Sequence, residues 1–326
     1  MDHQFCTEVL PVDAPHDEWL ALRRQGIGGS DCSAIMGMNR FASAYTVWED
    51  KTGRAPAEPE SEAMRWGNLL EPVIREETAR RLGLTVTKPG TLRSLEHPWQ
   101  QYNPDGLFGD GGLLECKNTS AWMSGDWDGQ VPDHAELQVQ HGMAVTGAPH
   151  AYVAGLVGGN RLVVERVERD DALIALITAT EHAFWTEHVL ADEPPRLDAS
   201  EATHTALLRR FPLVDRSIEV DPDKALPLAA MWAAAAAQEK AGKAAKKHAE
   251  NEFRLLMEGA TTATVDGLVI ARVTGGTWAP KRFEADNPDV ADLYRKKIEV
   301  IDSAAVKSEQ PELWRKYQAQ VFKAYA

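Results

Sequence analysis

The segment from Pro104-Asp105-Gly106-Leu107 to Glu115-Cys116-Lys117 restricts what this chain can fold into more than any other stretch. Between its two halves lies Phe108-Gly109-Asp110-Gly111-Gly112, dense in turn residues, and Asp-Gly between apolar runs is a strong hairpin signal. The run from Gly112 to Cys116 reads as a short strand, in which alternate side chains share a face. Glu115 and Lys117 therefore point the same way, and the hairpin returns Asp105 beside them. Two carboxylates and one ammonium on a single patch suit a hydrolytic Mg²⁺ site. The carboxylates hold a hard cation, while the lysine orients or deprotonates the attacking water. The alternative is an Asp in a turn and a surface ion pair between Glu115 and Lys117, because this spacing also recurs by chance.

The flanking sequence adds candidates. Trp66-Gly67-Asn68-Leu69-Leu70-Glu71-Pro72 precedes an amphipathic pattern, with Val73, Ile74, Ala79 and Leu82 at helical spacing and Gly83 as its stop. Glu71 stands before a proline, which places it at a kink or near a helix start; there it either projects into a neighbouring site or is a solvated surface residue. Downstream, Pro132-Asp133 and Gly147 bracket a second helix. Its Gln138 lies on a largely apolar face and needs a partner, either a carboxylate, a bound water or backbone. Near the N-terminus, Gly28-Gly29-Ser30-Asp31 opens a helical run with Arg23 close by. Free N–H groups and a hydroxyl there make a phosphate seat or an ordinary helix cap.

The order Trp19, Arg23, Gly29-Ser30, Trp66-Gly67, Glu71, Pro104-Asp105-Gly106, Glu115-Cys116-Lys117, Gln138-Val139-Gln140 resembles the lambda-exonuclease/YqaJ-type phage recombination nucleases of the PD-(D/E)XK superfamily. The resemblance covers roughly residues 15 to 190, including the strand-like runs Ala151–Leu156 and Val163–Val167 and a helix ending in Phe184-Trp185. It implies an α/β fold, a restriction-endonuclease-like mixed sheet flanked by helices over residues 1–195; the resemblance stops there, and the residue pattern over 196–326 reads as a mainly helical extension containing a β-hairpin. It implies Asp105 and Glu115 as the main metal ligands, joined by the backbone carbonyl of Cys116, with Glu71 completing or bridging a second position. Lys117 would position and activate water, Gln138 would hold the water or the lysine, and Arg23 and Ser30 would seat phosphate. The cofactor would be Mg²⁺, with Mn²⁺ as a possible substitute. The implied activity is 5′-to-3′ exonucleolysis on double-stranded DNA ends, with the single strands passed to an annealing protein and the enzyme assembled as a ring such as a trimer. Endonucleolysis, a preference for single strands, or a non-catalytic DNA-binding or assembly protein with the same fold are the competing readings.

Composition bounds these expectations. The chain has 326 residues, 44% hydrophobic and 26% charged, enough for a sizeable domain and a smaller second one. No apolar stretch approaches the length of a membrane span, and the N-terminus lacks a secretory pattern. Three scattered cysteines, Cys6, Cys32 and Cys116, suit a reducing cytoplasm, that of a bacterial host for a phage or prophage protein. They also argue against the iron–sulfur branch of the superfamily, so no such cluster is expected. A net charge of −14 opposes long-range attraction to DNA and requires a local basic channel or enclosure of the duplex.

Beyond Pro194-Pro195 the composition changes. Leu226 to about Glu258 forms a long Ala-rich helical pattern, and Thr261–Val265 and Leu268–Val273 flank Asp266-Gly267 as a β-hairpin. The final stretch interleaves aromatic and basic residues: Trp278, Lys281, Arg282, Phe283, Tyr294 to Lys297, and Trp314 to Tyr317. An accessory subdomain, an oligomerisation arm and a DNA-contacting appendage all fit this pattern.

Overall fold

The computed structural model describes residues 4–56, 61–275, 279–293 and 301–317, with residues 315–317 described by backbone alone. The chain divides into two compact units, Met1–Asp215 and Arg216–Ala326.

In chain order, the first unit contains β1 (Cys6–Leu10), α1 (His16–Arg23), α2 (Gly29–Ile35), α3 (Ala44–Lys51), α4 (Glu62–Leu82), β2 (Val86–Thr87), β3 (Thr91–Ser94) and β4 (Gln101–Tyr102). There follow β5 (Gly106–Phe108), β6 (Leu113–Thr119), a 3₁₀ segment (Ala121–Trp127), α5 (Asp133–Thr146), β7 (His150–Val157), β8 (Arg161–Glu168), α6 (Asp171–Phe184) and α7 (Glu201–Arg210). One sheet has the order β2-β5-β6-β7-β8, and a smaller one has the order β1-β3-β4. The large sheet is mixed, because β6 and β7 run parallel while the other pairs are antiparallel. A parallel pair needs a crossover, and α5 supplies it. That topology returns α5 across the strand that carries Glu115 and Lys117.

The hairpin expected from the turn residues is present. Gly106 pairs with Leu114 and Leu107 with Leu113, and Gly111 takes a left-handed φ of 87° in the turn. Alternation along β6 then assigns the layers. Leu113 packs with Val139, Met143 and Val153 in the core cluster that includes α5 residues. Leu114 and Cys116 pack with Ile74, Phe108 and Ala154 in the cluster that includes α4 residues. The sheet is thus sandwiched between α5 and α4. Glu115 and Lys117 share the α5 face, and Cys116 faces the other way.

The structure corrects one local expectation. Glu71 does not stand at a helix start: α4 runs unbroken from Glu62 to Leu82 with Pro72 inside it. Pro72 removes one intrahelical hydrogen bond, but the residues after it pack on the sheet and hold the helix through. The helix stops where expected, with Gly83 at φ 67° donating its N–H to the carbonyl of Ala79. Gly147 ends α5 in the same way, at φ 71°. The helical run expected to end at Trp185 is α6, and the chain continues as a π-helical turn over Trp185–Leu190. The compact unit also reaches past residue 195, because α7 is stitched to α3. Thr203 donates to Ser43 Oγ at 2.7 Å, and Arg210 meets Glu49 at 3.0 Å.

In the second unit, α8 spans Pro222–Met257, with Asp221 as its N-cap and Pro222 in its first turn. Its 36 residues span about 54 Å at the usual rise. The β9 (Thr262–Val265) and β10 (Leu268–Arg272) strands form the expected hairpin. Asp266 and Gly267 turn it at φ 50° and 83°, as a type I′ turn requires. Among the described residues, four short helices follow: α9 (Pro280–Asp286), α10 (Pro288–Leu293), α11 (Ser303–Glu309) and α12 (Pro311–Tyr317). Of the aromatic and basic residues singled out in the tail, Trp278 and Tyr294 to Lys297 lie outside the described residues, as do the side chains of Arg315, Lys316 and Tyr317. No helix of the described residues is long and apolar enough to cross a membrane.

Candidate active site

Asp105, Glu115, Lys117 and Gln138 come together where the hairpin meets α5. Cys116 donates its N–H to Asp105 Oδ2 at 2.7 Å, which fixes the aspartate against the strand. In an extended strand the N–H and C=O of one residue share an edge, so the Cys116 carbonyl lies on the Asp105 side as well. Glu115 is 3% exposed. Its Oε1 accepts from Lys117 Nζ at 2.8 Å and from Gln138 Nε2 at 2.7 Å, while its Oε2 accepts from the Tyr102 hydroxyl at 3.1 Å. Gln138 Oε1 accepts the second bond from Lys117, at 2.7 Å. The partner that a glutamine on an apolar face required is thus a carboxylate and an ammonium together.

Glu71 approaches from the opposite layer. Its Oε1 accepts from Arg75 Nη1 at 2.7 Å and also from Lys88. Arg75 donates to the backbone carbonyl of Asp105 at 3.2 Å, which links α4 to the start of β5. Sequence reading missed Arg75, Lys88 and Tyr102. Arg75 was findable, since it lies four residues beyond Glu71 on one helix face.

The electrostatics of the cluster are those of crowded carboxylates. Burial, then the nearby charges of Glu115 and Glu71, push the Asp105 carboxyl well above its usual range, and the Cys116 N–H and Lys117 only partly oppose them. Burial alone would lower Lys117, yet Glu115 beside it holds the ammonium above its ordinary value. In this arrangement Lys117 is a charged hydrogen-bond donor to Glu115 and Gln138. Burial and the same carboxylates push the Cys116 thiol up, so it has no thiolate character.

The donor set fits a hard divalent cation. It is all oxygen, from Asp105, Glu115, the Cys116 carbonyl and Glu71, and a divalent cation bound there would offset the crowding that raises the Asp105 carboxyl.

Arg23 and Ser30 are also adjacent, with Nη1 and Oγ at 3.4 Å. The start of α2 lies against the cluster, since a Cβ on Gly29 would stand 3.1 Å from Gln138 Cγ. Arg23 is already held by Asp31 at 2.7 Å and Asp50 at 3.3 Å, and buried Lys51 meets Asp31 at 2.6 Å. Burial alone would raise the Asp31 carboxyl, but the two cations hold it well below the usual range. Two acids and two bases therefore form a paired set here, which sequence spacing did not reveal.

A second compact constellation joins Cys32, His141 and Glu181, whose donor atoms lie within 4.8 Å of one another. Every one is buried, and the protons are in use. His141 presents Nδ1 to Glu181 at 2.7 Å and Nε2 to the Gln101 carbonyl at 2.9 Å, and Gln100 donates to Glu181 at 2.8 Å. Two acceptors on one imidazole favour its charged form. Burial lowers its pKa, but Glu181 and Gln101 raise it more, to a net value above the ordinary one. This is a buried ion pair tying α5 to α6, separate from the oxygen ligands above. Cys6 and Cys116 belong to other core clusters.

The chain matches a family profile described as the YqaJ-like viral recombinase domain over residues 18–149. It is 40% identical over 222 residues to the uncharacterized protein YqaJ of Bacillus subtilis, covering 66% of this chain and 70% of that one. It is 26% identical over 117 residues to protein D345L of African swine fever virus, covering 34% of this chain and 31% of that one. Among solved structures it is similar to the alkaline exonuclease LHK-Exo of Laribacter hongkongensis, at 29% identity and a TM-score of 0.46, covering 54% of this chain and 94% of that one. The matched profile contains the hairpin, its carboxylates, Lys117 and Gln138, and the chain belongs to the YqaJ-like viral recombinase family.

Proposed function

We propose that this protein is a metal-dependent deoxyribonuclease that degrades one strand of duplex DNA from its ends, 5′ to 3′, and leaves single strands for recombination by annealing. The observation that carries this reading is the gathering of Asp105, Glu115, Lys117 and Gln138 where the hairpin of the family domain meets α5. Asp105, Glu115 and the Cys116 carbonyl would hold Mg²⁺, or Mn²⁺ in its place, with Glu71 at a second position. A divalent cation bound there would supply Lewis acidity toward the attacking water and the scissile phosphate. Lys117, kept charged by Glu115, donates to the attacking water or to the phosphoryl oxygens. Gln138 holds Lys117 in line by accepting a hydrogen bond from one of its three N–H groups. Arg23 and Ser30 would meet a phosphate of the bound strand, with Asp31 and Asp50 fixing the guanidinium. The strand polarity, a ring-shaped homo-oligomer, a single-strand annealing partner and action inside a bacterial cell belong to this proposal through the family resemblance.

The test is a time course with Mg²⁺ on linear duplex labelled separately at each 5′ and 3′ end, beside a covalently closed circle. Early loss of the 5′ label, with the circle intact and EDTA blocking the reaction, is the expected result. Cutting of the circle would make the enzyme an endonuclease. No cleavage in Mg²⁺ or Mn²⁺ would refute the catalytic reading.

A further inference from the structure

Tyr102 belongs to the small sheet, outside the motif that carries the carboxylates, yet its hydroxyl ends on Glu115 Oε2 at 3.1 Å. The ring is 1% exposed and sits in a slot formed by glycines of two helices. A Cβ on Gly29 of α2 would stand 2.9 Å from Tyr102 Cε2, and one on Gly142 of α5 would stand 2.6 Å from Cε1 and Cζ. Both distances are below what a real Cβ tolerates, so the helices close on the ring only because these positions lack side chains. His141, next to Gly142, grips the adjoining Gln101 carbonyl at 2.9 Å and so ties α5 to β4 beside the ring.

Any buried tyrosine seeks an acceptor. What sets this one apart is where its bond falls. Lys117 and Gln138 both occupy Oε1 of Glu115, and without Tyr102 the other oxygen would have no side-chain donor among the described contacts. Bonds at both oxygens fix the plane of a carboxylate, whereas bonds at one leave it a hinge. We infer that Tyr102 is a positioning residue for the candidate metal site, its hydroxyl locking the Glu115 carboxylate in the orientation that receives a divalent cation. This inference rests on the metal reading of the site proposed above. Hydrogen-bond partners of ligating groups typically govern metal affinity by about 10–100-fold.

Tyr102→Phe keeps the ring in its glycine slot and deletes only the hydroxyl. The measurement is Mn²⁺ binding to the whole chain without DNA, followed by electron paramagnetic resonance of the free ion, beside thermal melts in EDTA. The expected result is a Mn²⁺ dissociation constant raised about tenfold, with the melting temperature in EDTA lowered by no more than the loss of one hydrogen bond to a charged group. Asp105→Asn is the control that should abolish binding. Unchanged Mn²⁺ affinity in Tyr102→Phe, with binding lost in Asp105→Asn, would overturn the inference and leave the metal site standing. A lowered melting temperature with unchanged affinity would overturn it too, by making Tyr102 a core residue only. Failure of the wild-type chain to bind Mn²⁺ would overturn the reading on which it rests.

Discussion

Replacing Lys117 by Met separates positioning of water from binding of metal, because the two demand opposite things of this side chain. Lys117 makes two bonds, 2.8 Å to Glu115 and 2.7 Å to Gln138, and its side chain is 24% exposed. Stripping the partner from a fully buried ion pair costs about 3–5 kcal/mol. Here Glu115 keeps two donors, Tyr102 and Gln138, and the methionine stem fills most of the lost volume. The cost should therefore be nearer that of one hydrogen bond to a charged group, about 1.5–3 kcal/mol. For a unit of this size each kcal/mol lowers the melting temperature by about 2–4 °C, so the variant stays folded at 25 °C. Cleavage should fall by about 10²–10⁴-fold, the usual worth of a positioned proton donor or acceptor in a transition state. Mn²⁺ affinity should be unchanged or tighter, since an ammonium that repels the cation has been removed. The assay pairs single-turnover cleavage of end-labelled duplex with Mn²⁺ titration of the free protein. Cleavage close to wild type would refute the role of Lys117. A loss of Mn²⁺ affinity that parallels the loss of cleavage would refute the argument that Lys117 acts on the water and not on the ligands.

Glu181→Gln should destabilise the fold by about 3–5 kcal/mol near pH 6, because it strands a buried imidazolium. The folded His141 pKa lies above its ordinary value, so the pair's contribution is full below about pH 6.5 and fades as pH rises through the folded value. Urea midpoints of wild type and variant should therefore converge as pH rises through the folded His141 value, and parallel profiles would contradict the ion pair. Asp105→Asn should abolish cleavage yet stabilise the protein in EDTA by about 1 kcal/mol, since it removes a charge that burial, Glu115 and Glu71 disfavour while an amide oxygen can still accept from Cys116. A variant less stable than wild type in EDTA would count against that charge crowding. Binding to duplex ends, measured by fluorescence anisotropy, should be tight in Ca²⁺ and weak in EDTA, and equal affinity in both would place DNA recognition elsewhere.

The parts of the fold set by local chemistry could be read in the sequence. Turn glycines placed the hairpin, Pro132 and Gly147 bounded α5, and alternation along β6 put Glu115 and Lys117 on one face. Where tertiary packing overrides a local rule, the reading departs from the structure. Pro72 signals a helix boundary by its own sterics, but α4 is held through it by the sheet beneath. Contacts distant in sequence were silent for another reason. Nothing near Arg23 announces Asp50 and Lys51, and nothing about Tyr102 reveals the two glycines that enclose it. The end of the first unit was placed at 195 because composition changes there, whereas α7 is bound by specific polar contacts to α3 that composition does not encode.

The acidity of the chain and a DNA-cleaving site are compatible once charge is considered at the scale of the site. Glu71, Asp105 and Glu115 stand against Arg75, Lys88 and Lys117, so the ionised cluster is close to neutral before any metal enters. A divalent cation would make it positive by two charges, in surroundings where burial weakens screening by water. The bulk of the −14 charge acts from farther away, and at physiological salt its influence decays over about 8 Å. A phosphate approaching the loaded site therefore meets the local sign, not the global one. Burial, Glu115 and Glu71 disfavour the ionised form of Asp105 in the protein alone, and under the proposed function a divalent cation bound beside it would offset that crowding and favour a phosphate.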